Sequence, residues 1–145
     1  LSVAAASILR GLLQGRCRVF SSDVAIRVEA SDLSTFPDCS VVCGELQRSK
    51  LDPNALTNPI ILVEVTSKST EDYDRGEKLS QYRQIPSLKA VLLVSHRSER
   101  VTIVERAANG WSTREVRRGE QVTLQDPKLS FAIDDLYAGI ALDPA

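Results

Sequence analysis

Two short apolar runs flank one helical pattern in the middle of this chain, and that arrangement restricts the fold more than any other feature. "PIILVEVT", residues 59–66, and "LKAVLLVSH", residues 88–96, are continuously apolar rather than alternating. Short runs of this kind are strands buried on both faces. Between them lies "TEDYDRGEKLSQYRQI", residues 70–85, which has the composition of a helix. Ser69 or Thr70 can cap it, Glu71 and Asp72 suit its first turn, and Pro86 stops it. A helix joining two strands of one sheet returns the second parallel to the first, so a βαβ unit is expected here.

The flanks add strands of another kind. Residues 2–13 read as a helix, with Val3, Ile8, Leu9, Leu12 and Leu13 near helical spacing and Gly15 ending it. Residues 17–20, 24–30 and 38–44 read as strands, and the polar stretch 45–58 as a loop. Beyond His96, "RVTIVERA", "WSTREVRRG", "EQVTLQ" and "LSFAI" read as an antiparallel meander with a tight turn at Asn109-Gly110. "DDLYAGI" reads as a last helical turn capped by Asp134. The expected fold is α/β: a mixed β-sheet flanked by helices, with an antiparallel β extension at its C-terminal end. Residues 1–145 suffice for one domain and are too few for two comfortable ones.

Composition excludes some function classes. Apolar residues make up 43% and charged residues 26%, with a formal charge of −1, as in ordinary globular proteins. That balance gives no argument for a polyanionic partner, although a local basic groove is compatible with a neutral total. No apolar stretch reaches the roughly 18 residues of a membrane span. The cysteines are Cys17, Cys39 and Cys43. Cys39 and Cys43 lie four apart on one strand, roughly 13 Å, too far for one disulfide or one zinc ion. Buried free thiols in a reducing cytoplasm are the expectation.

The chemistry begins with Glu64, a carboxylate inside the apolar run of 59–66. Burying it is costly unless it is paired or holds a metal. Pro37-Asp38 opens another strand, and Asp74, Lys78 and Tyr82 lie four apart, on one face of the helix that follows Glu64. Two carboxylates on neighbouring strands can hold one Mg²⁺, which takes one or two carboxylates and keeps waters and substrate phosphate in its other positions. Each residue also has a structural reading. Asp38 suits an Asx turn, Glu64 a buried ion pair, and Asp74–Lys78 an ordinary helix salt bridge. Tyr82 suits a half-buried packing position. A single His and scattered glycines give no zinc set and no phosphate loop.

"FPDCSVVCGE" followed by "NPIILVEVTSKSTEDYDRGEKLSQYRQIPSLKAVLLVSHRSERVTIVERAANGW" resembles the Uma2 family, within the PD-(D/E)xK nuclease superfamily. The resemblance implies a restriction-endonuclease-like core and Mg²⁺-dependent hydrolysis of DNA phosphodiesters, with Mn²⁺ as a substitute ion. By motif, Asp38 and Glu64 become the catalytic acids and metal ligands. The superfamily's lysine would stand at position 66, which is Thr here. The resemblance assigns that role to Lys78, with Lys68 a weaker candidate, and makes Tyr82 and Asp74 supporting residues. The family pattern also extends upstream of Leu1 and includes a further acid there, so an N-terminally truncated chain is expected.

Two readings of function follow. One is a metal-dependent endonuclease that acts on DNA in the cytoplasm, without a membrane, with a two-fold homodimer as the default oligomer. The other is a nuclease-like fold without catalysis, serving nucleic-acid binding or dimerisation, in which the basic stretches "RQIPSLK" and "REVRRGE" matter more than the carboxylates.

Overall fold

The structure, a computed structural model, describes residues 1–66 and 74–142, apart from the side chains of Asp74 and Arg75. The expected capping residues Ser69 and Thr70 and the alternative lysine Lys68 lie outside the described residues. Helix α1 spans Ser2–Leu12 and strand β1 Cys17–Ser21. Then come β2 (Ala25–Val28), β3 (Leu33–Thr35), β4 (Cys39–Cys43), β5 (Ala55–Leu56) and β6 (Ile61–Val65). A π-helical turn, Asp74–Lys78, leads into α2, Leu79–Tyr82. The chain continues through β7 (Ala90–Val94), β8 (Arg100–Ala107), β9 (Gly110–Arg117), β10 (Gln121–Gln125), β11 (Lys128–Ala132) and α3 (Ile133–Tyr137).

Among the described residues, six strands form the main sheet in the order β1-β4-β6-β7-β8-β9. β6 and β7 pair in parallel from Ile61↔Ala90 to Val65↔Val94, and every other pair in that sheet is antiparallel. The βαβ expectation therefore holds. Both strands are buried on both faces because each face carries its own layer. One face presents Val41, Ile61, Val63, Leu92 and Ile103 to α1, α3 and the β10–β11 hairpin. The other presents Val42, Leu62, Val91 and Val104 to α2 and the small β3-β2-β5 sheet. Leu9 and Leu13 on one side and Leu79, Tyr82 and Ile85 on the other close these layers. Fully burying such aliphatic side chains contributes about 1.5–3 kcal/mol each.

Several expectations are corrected. The four C-terminal strands are not one meander. β8 and β9 extend the main sheet, whereas β10 and β11 form a separate hairpin laid across it. The stretch 45–58 is not wholly loop, because Ala55–Leu56 pairs in parallel with β2. The expected strand 24–30 stops at Val28, where Glu29–Ser31 turn into a short 3-10 helix ending at Asp32, which has φ 57°. Asp134 does not cap α3. It sits in the helix's first turn and accepts the Gly119 N–H at 2.8 Å, tying that helix to the β9–β10 turn.

The cysteine expectation is half overturned. Cys39 is a buried free thiol, but Cys17 and Cys43 form a disulfide. They face each other directly across the β1–β4 ladder with Cα atoms 4.0 Å apart. This pairing joins two strands 26 residues apart, so it depends on register and not on local spacing.

Candidate active site

Glu64 is the fourth residue of β6 and shares the sheet face of Leu62 by the two-residue alternation of a strand. The residue is 3% exposed. Its carboxylate meets two groups from one helical segment. The Tyr82 hydroxyl donates to Oε1 at 2.5 Å, and Lys78 Nζ donates to Oε2 at 3.4 Å. Lys78 and Tyr82 are four apart, and both point back at the strand, so the expected shared face is real for this pair. Asp74, the third member of that face, has a side chain outside the described ones. The segment also differs from a regular α-helix: Asp74–Lys78 is a π turn. Such turns appear mostly as single insertions within helices, frequently at functional sites.

Burial and exposure divide the labour here. Tyr82 is 1% exposed, so its ring fills the core while its hydroxyl satisfies the carboxylate. The Lys78 side chain is 30% exposed, which leaves its ammonium at the boundary between Glu64 and solvent. The helix end is held firmly. Arg106, from β8, donates to the carbonyls of Leu88 at 2.7 Å and Ile85 at 3.0 Å. Its guanidinium also stacks 4.5 Å from the Trp111 ring centroid. These contacts fix the connection from α2 to β7 and thereby the position of Tyr82.

Asp38 stands immediately before β4 and is half-buried. The β4–β6 register pairs Cys39 with Val63. That register ends one residue short of Asp38, which stands in the bend that leads into β4. Asp38 Oδ2 accepts the Val65 N–H at 2.7 Å. That bond extends the ladder by a side chain and fixes the carboxylate at the end of β6. Its other oxygen has no protein partner among the described residues. The structure thus brings Asp38, Glu64, Lys78 and Tyr82 to one place.

This donor set fits a hard divalent cation. Two carboxylates supply oxygen ligands, and each ionised oxygen retains acceptor capacity beyond its present bond. Among the described residues, no third acid, His or Cys joins them to complete an all-protein cage. Mg²⁺ bound by one or two carboxylates plus waters and substrate phosphate needs no such cage.

Sequence reasoning passed over a neighbouring cluster. Thr66, two residues after Glu64, is 2% exposed, and His96 is 7% exposed. His96 Nδ1 lies 3.3 Å from Thr66 Oγ1, and Arg97 Nε donates to His96 Nε2 at 3.2 Å. Either His96 Nδ1 or the Thr66 hydroxyl can be the donor between them, according to the ring tautomer. The Thr66 hydroxyl in turn reaches Val94 O at 3.4 Å. The only sequence signal was a polar pair at the ends of two adjacent strands.

The family described as "Uma2: Putative restriction endonuclease" matches residues 2–134. The chain belongs to the Uma2 family. Two curated relatives come from Synechocystis sp. strain PCC 6803. The uncharacterised protein slr1290 is 35% identical over 128 residues, covering 88% of this chain and 66% of that protein. The uncharacterised protein sll1609 is 32% identical over 83 residues, covering 57% and 47%. The chain therefore spans just under two thirds of one of these relatives and about half of the other. A solved structure, titled as a putative nuclease belonging to DUF820 from Anabaena variabilis, superposes with a TM-score of 0.75 at 16% identity. It covers 94% of this chain and 78% of its own, which shows the shared fold. Among the described residues, no helix is long and apolar enough to cross a membrane.

Proposed function

We propose that this Uma2 chain is a divalent-metal-dependent endonuclease that hydrolyses DNA phosphodiesters. The observation that carries the reading is the bond from the Val65 N–H to Asp38, which brings that carboxylate to the residue next to Glu64, with Lys78 on Glu64. Asp38 and Glu64 would hold Mg²⁺, with Mn²⁺ as a substitute. The ion, when bound, supplies a Lewis acid for the scissile phosphate and lowers the pKa of a water. In the hydrolysis a water oxygen bonds to phosphorus as one phosphorus–oxygen ester bond breaks. Lys78, at the solvent boundary, would meet the negative charge that grows on the phosphate oxygens, where a fixed cation acts most strongly. Tyr82 would hold Glu64 in one orientation, and the Val65 N–H would do the same for Asp38. Asp74 keeps its place as a supporting candidate on sequence grounds alone.

The test is a titration of Mg²⁺ and Mn²⁺ against supercoiled plasmid, with wild type, Glu64→Gln and Lys78→Ala side by side. Metal-dependent nicking by wild type, lost in both variants while both remain folded, is the expected result. Absence of cleavage at any metal concentration sinks the reading.

One observation favours the non-catalytic alternative. Glu64 is already compensated by Lys78 and Tyr82, so a structural ion pair accounts for its burial without a metal. On that reading the fold serves nucleic-acid binding or dimerisation, and millimolar Mg²⁺ or Mn²⁺ leaves the melting temperature unchanged. On the enzymatic reading, a metal that binds the native state alone raises it.

A further inference from the structure

Among the described residues, β1 stands at the edge of the main sheet next to β4, beside the candidate site, and that edge is basic. Two clefts, of about 510 Å³ and about 430 Å³, meet along it and share the walls Arg10, Val19 and Phe20. The first reaches Asp38, and the second reaches Arg18. A third, of about 370 Å³, continues the edge past Arg18 to Arg16. Arg10, Arg16 and Arg18 are all exposed. The first 22 residues contain these three arginines and no acid, although the whole chain carries −1. Among the described residues, the single acid lining these clefts is Asp38 itself.

We propose that this groove is the track for a nucleic-acid backbone: Arg10 and Arg18 bind phosphates flanking the one presented to Asp38 and Glu64. The inference rests on the phosphodiesterase reading and adds where the substrate lies. Charge complementarity points to a polyanion, and continuity with Asp38 points to one whose repeating phosphates run past the site. Dimensions agree. Arg18 lies three residues along β1 from Ser21, which pairs with Cys39 beside Asp38, a span of roughly 10 Å. One strand of a duplex advances about 3.4 Å per phosphate, so that length holds about three nucleotides. The outward N–H groups of an edge strand are further donors for phosphate oxygens. Such contacts position the substrate without reading its bases, so recognition here is independent of sequence.

The test separates binding from cleavage. Fluorescence anisotropy of a short fluorescein-labelled DNA duplex, measured in EDTA across a salt series, gives Kd and its salt slope. Arg10→Gln and Arg18→Gln should each weaken binding and lower the slope by about 0.9, the value of one lost phosphate contact. Arg118→Gln, at an arginine paired with Glu99 beyond β9, should change neither. Arg18→Glu should weaken binding further than Arg18→Gln. The assignment is overturned if wild type does not bind, or if folded Arg10→Gln/Arg18→Gln keeps the wild-type Kd and slope. Arginine-dependent binding without metal-dependent cleavage keeps the groove and removes the enzyme. Cleavage with unchanged kcat/KM in the double variant keeps the enzyme and removes the groove.

Discussion

Replacing Tyr82 by Phe isolates what holds the buried carboxylate. The substitution deletes one oxygen from a ring that is 1% exposed and leaves its packing intact. It removes the donor 2.5 Å from Glu64 Oε1. A hydrogen bond to a charged group contributes about 1.5–3 kcal/mol. Lys78 stays, but at 3.4 Å and from a partly exposed position, so it compensates only in part. The expected destabilisation is about 2 kcal/mol. With a urea m-value of about 2 kcal/mol/M, the unfolding midpoint falls by about 1 M. Urea titrations followed by fluorescence and by far-ultraviolet circular dichroism should give coincident curves with an unchanged slope. Glu64→Gln/Tyr82→Phe closes a double-mutant cycle, in which the two changes should be clearly less than additive. If Tyr82→Phe shifts the midpoint by less than about 0.2 M, or the two changes simply add, the bond does not support the carboxylate and the argument for Tyr82 as its anchor fails.

Other expectations follow from the same structure. Native oxidised protein should show no thiol reactive toward a disulfide probe; a mild reductant should release Cys17 and Cys43, and Cys39 should react only on unfolding. Reactivity of Cys39 in the native state would contradict its burial. Burial, and then the charge of Asp38, push the Cys39 thiol up to about 12, while burial pushes the Tyr137 hydroxyl up to about 12. Both folded values lie above the ordinary values of 9.0 and 10.0, so their contribution to stability is complete below about pH 9 and is lost as pH rises toward 12. Urea midpoints measured from pH 8 to pH 11 should therefore fall, and Cys39→Ala should remove the part that begins near pH 9. Leu9→Ala, at a fully buried α1 position, should cost about 2–5 kcal/mol, whereas Val3→Ala at an 80% exposed one should change the melting temperature little.

How much was legible follows from the range of each interaction. Hydrophobic pattern is local, so the runs around Ile61–Val65 and Ala90–Val94 announced two buried strands, and the helical stretch between them made the pair parallel. The misplacement of Glu64 within an apolar run marked the site without any knowledge of the fold, because an acid in such a run demands compensation. The i,i+4 spacing of Lys78 and Tyr82 put both on one helix face. Register is not local. That Asp38 meets the Val65 N–H, that Cys17 meets Cys43, and that β10 and β11 leave the sheet to cover it depend on strands meeting from distant parts of the chain. Spacing on one strand correctly kept Cys39 from Cys43, yet carried no information about a partner 26 residues upstream. The basic edge was equally hidden, since a net charge of −1 averages over a surface whose arginines only the end position of β1 gathers into one groove. The sequence by itself determined which residues must be buried and which acid needs a partner, because those are properties of side chains and their nearest neighbours in the chain. Tertiary structure alone decided the partners, because a pairing register places side chains together that no sequence interval relates.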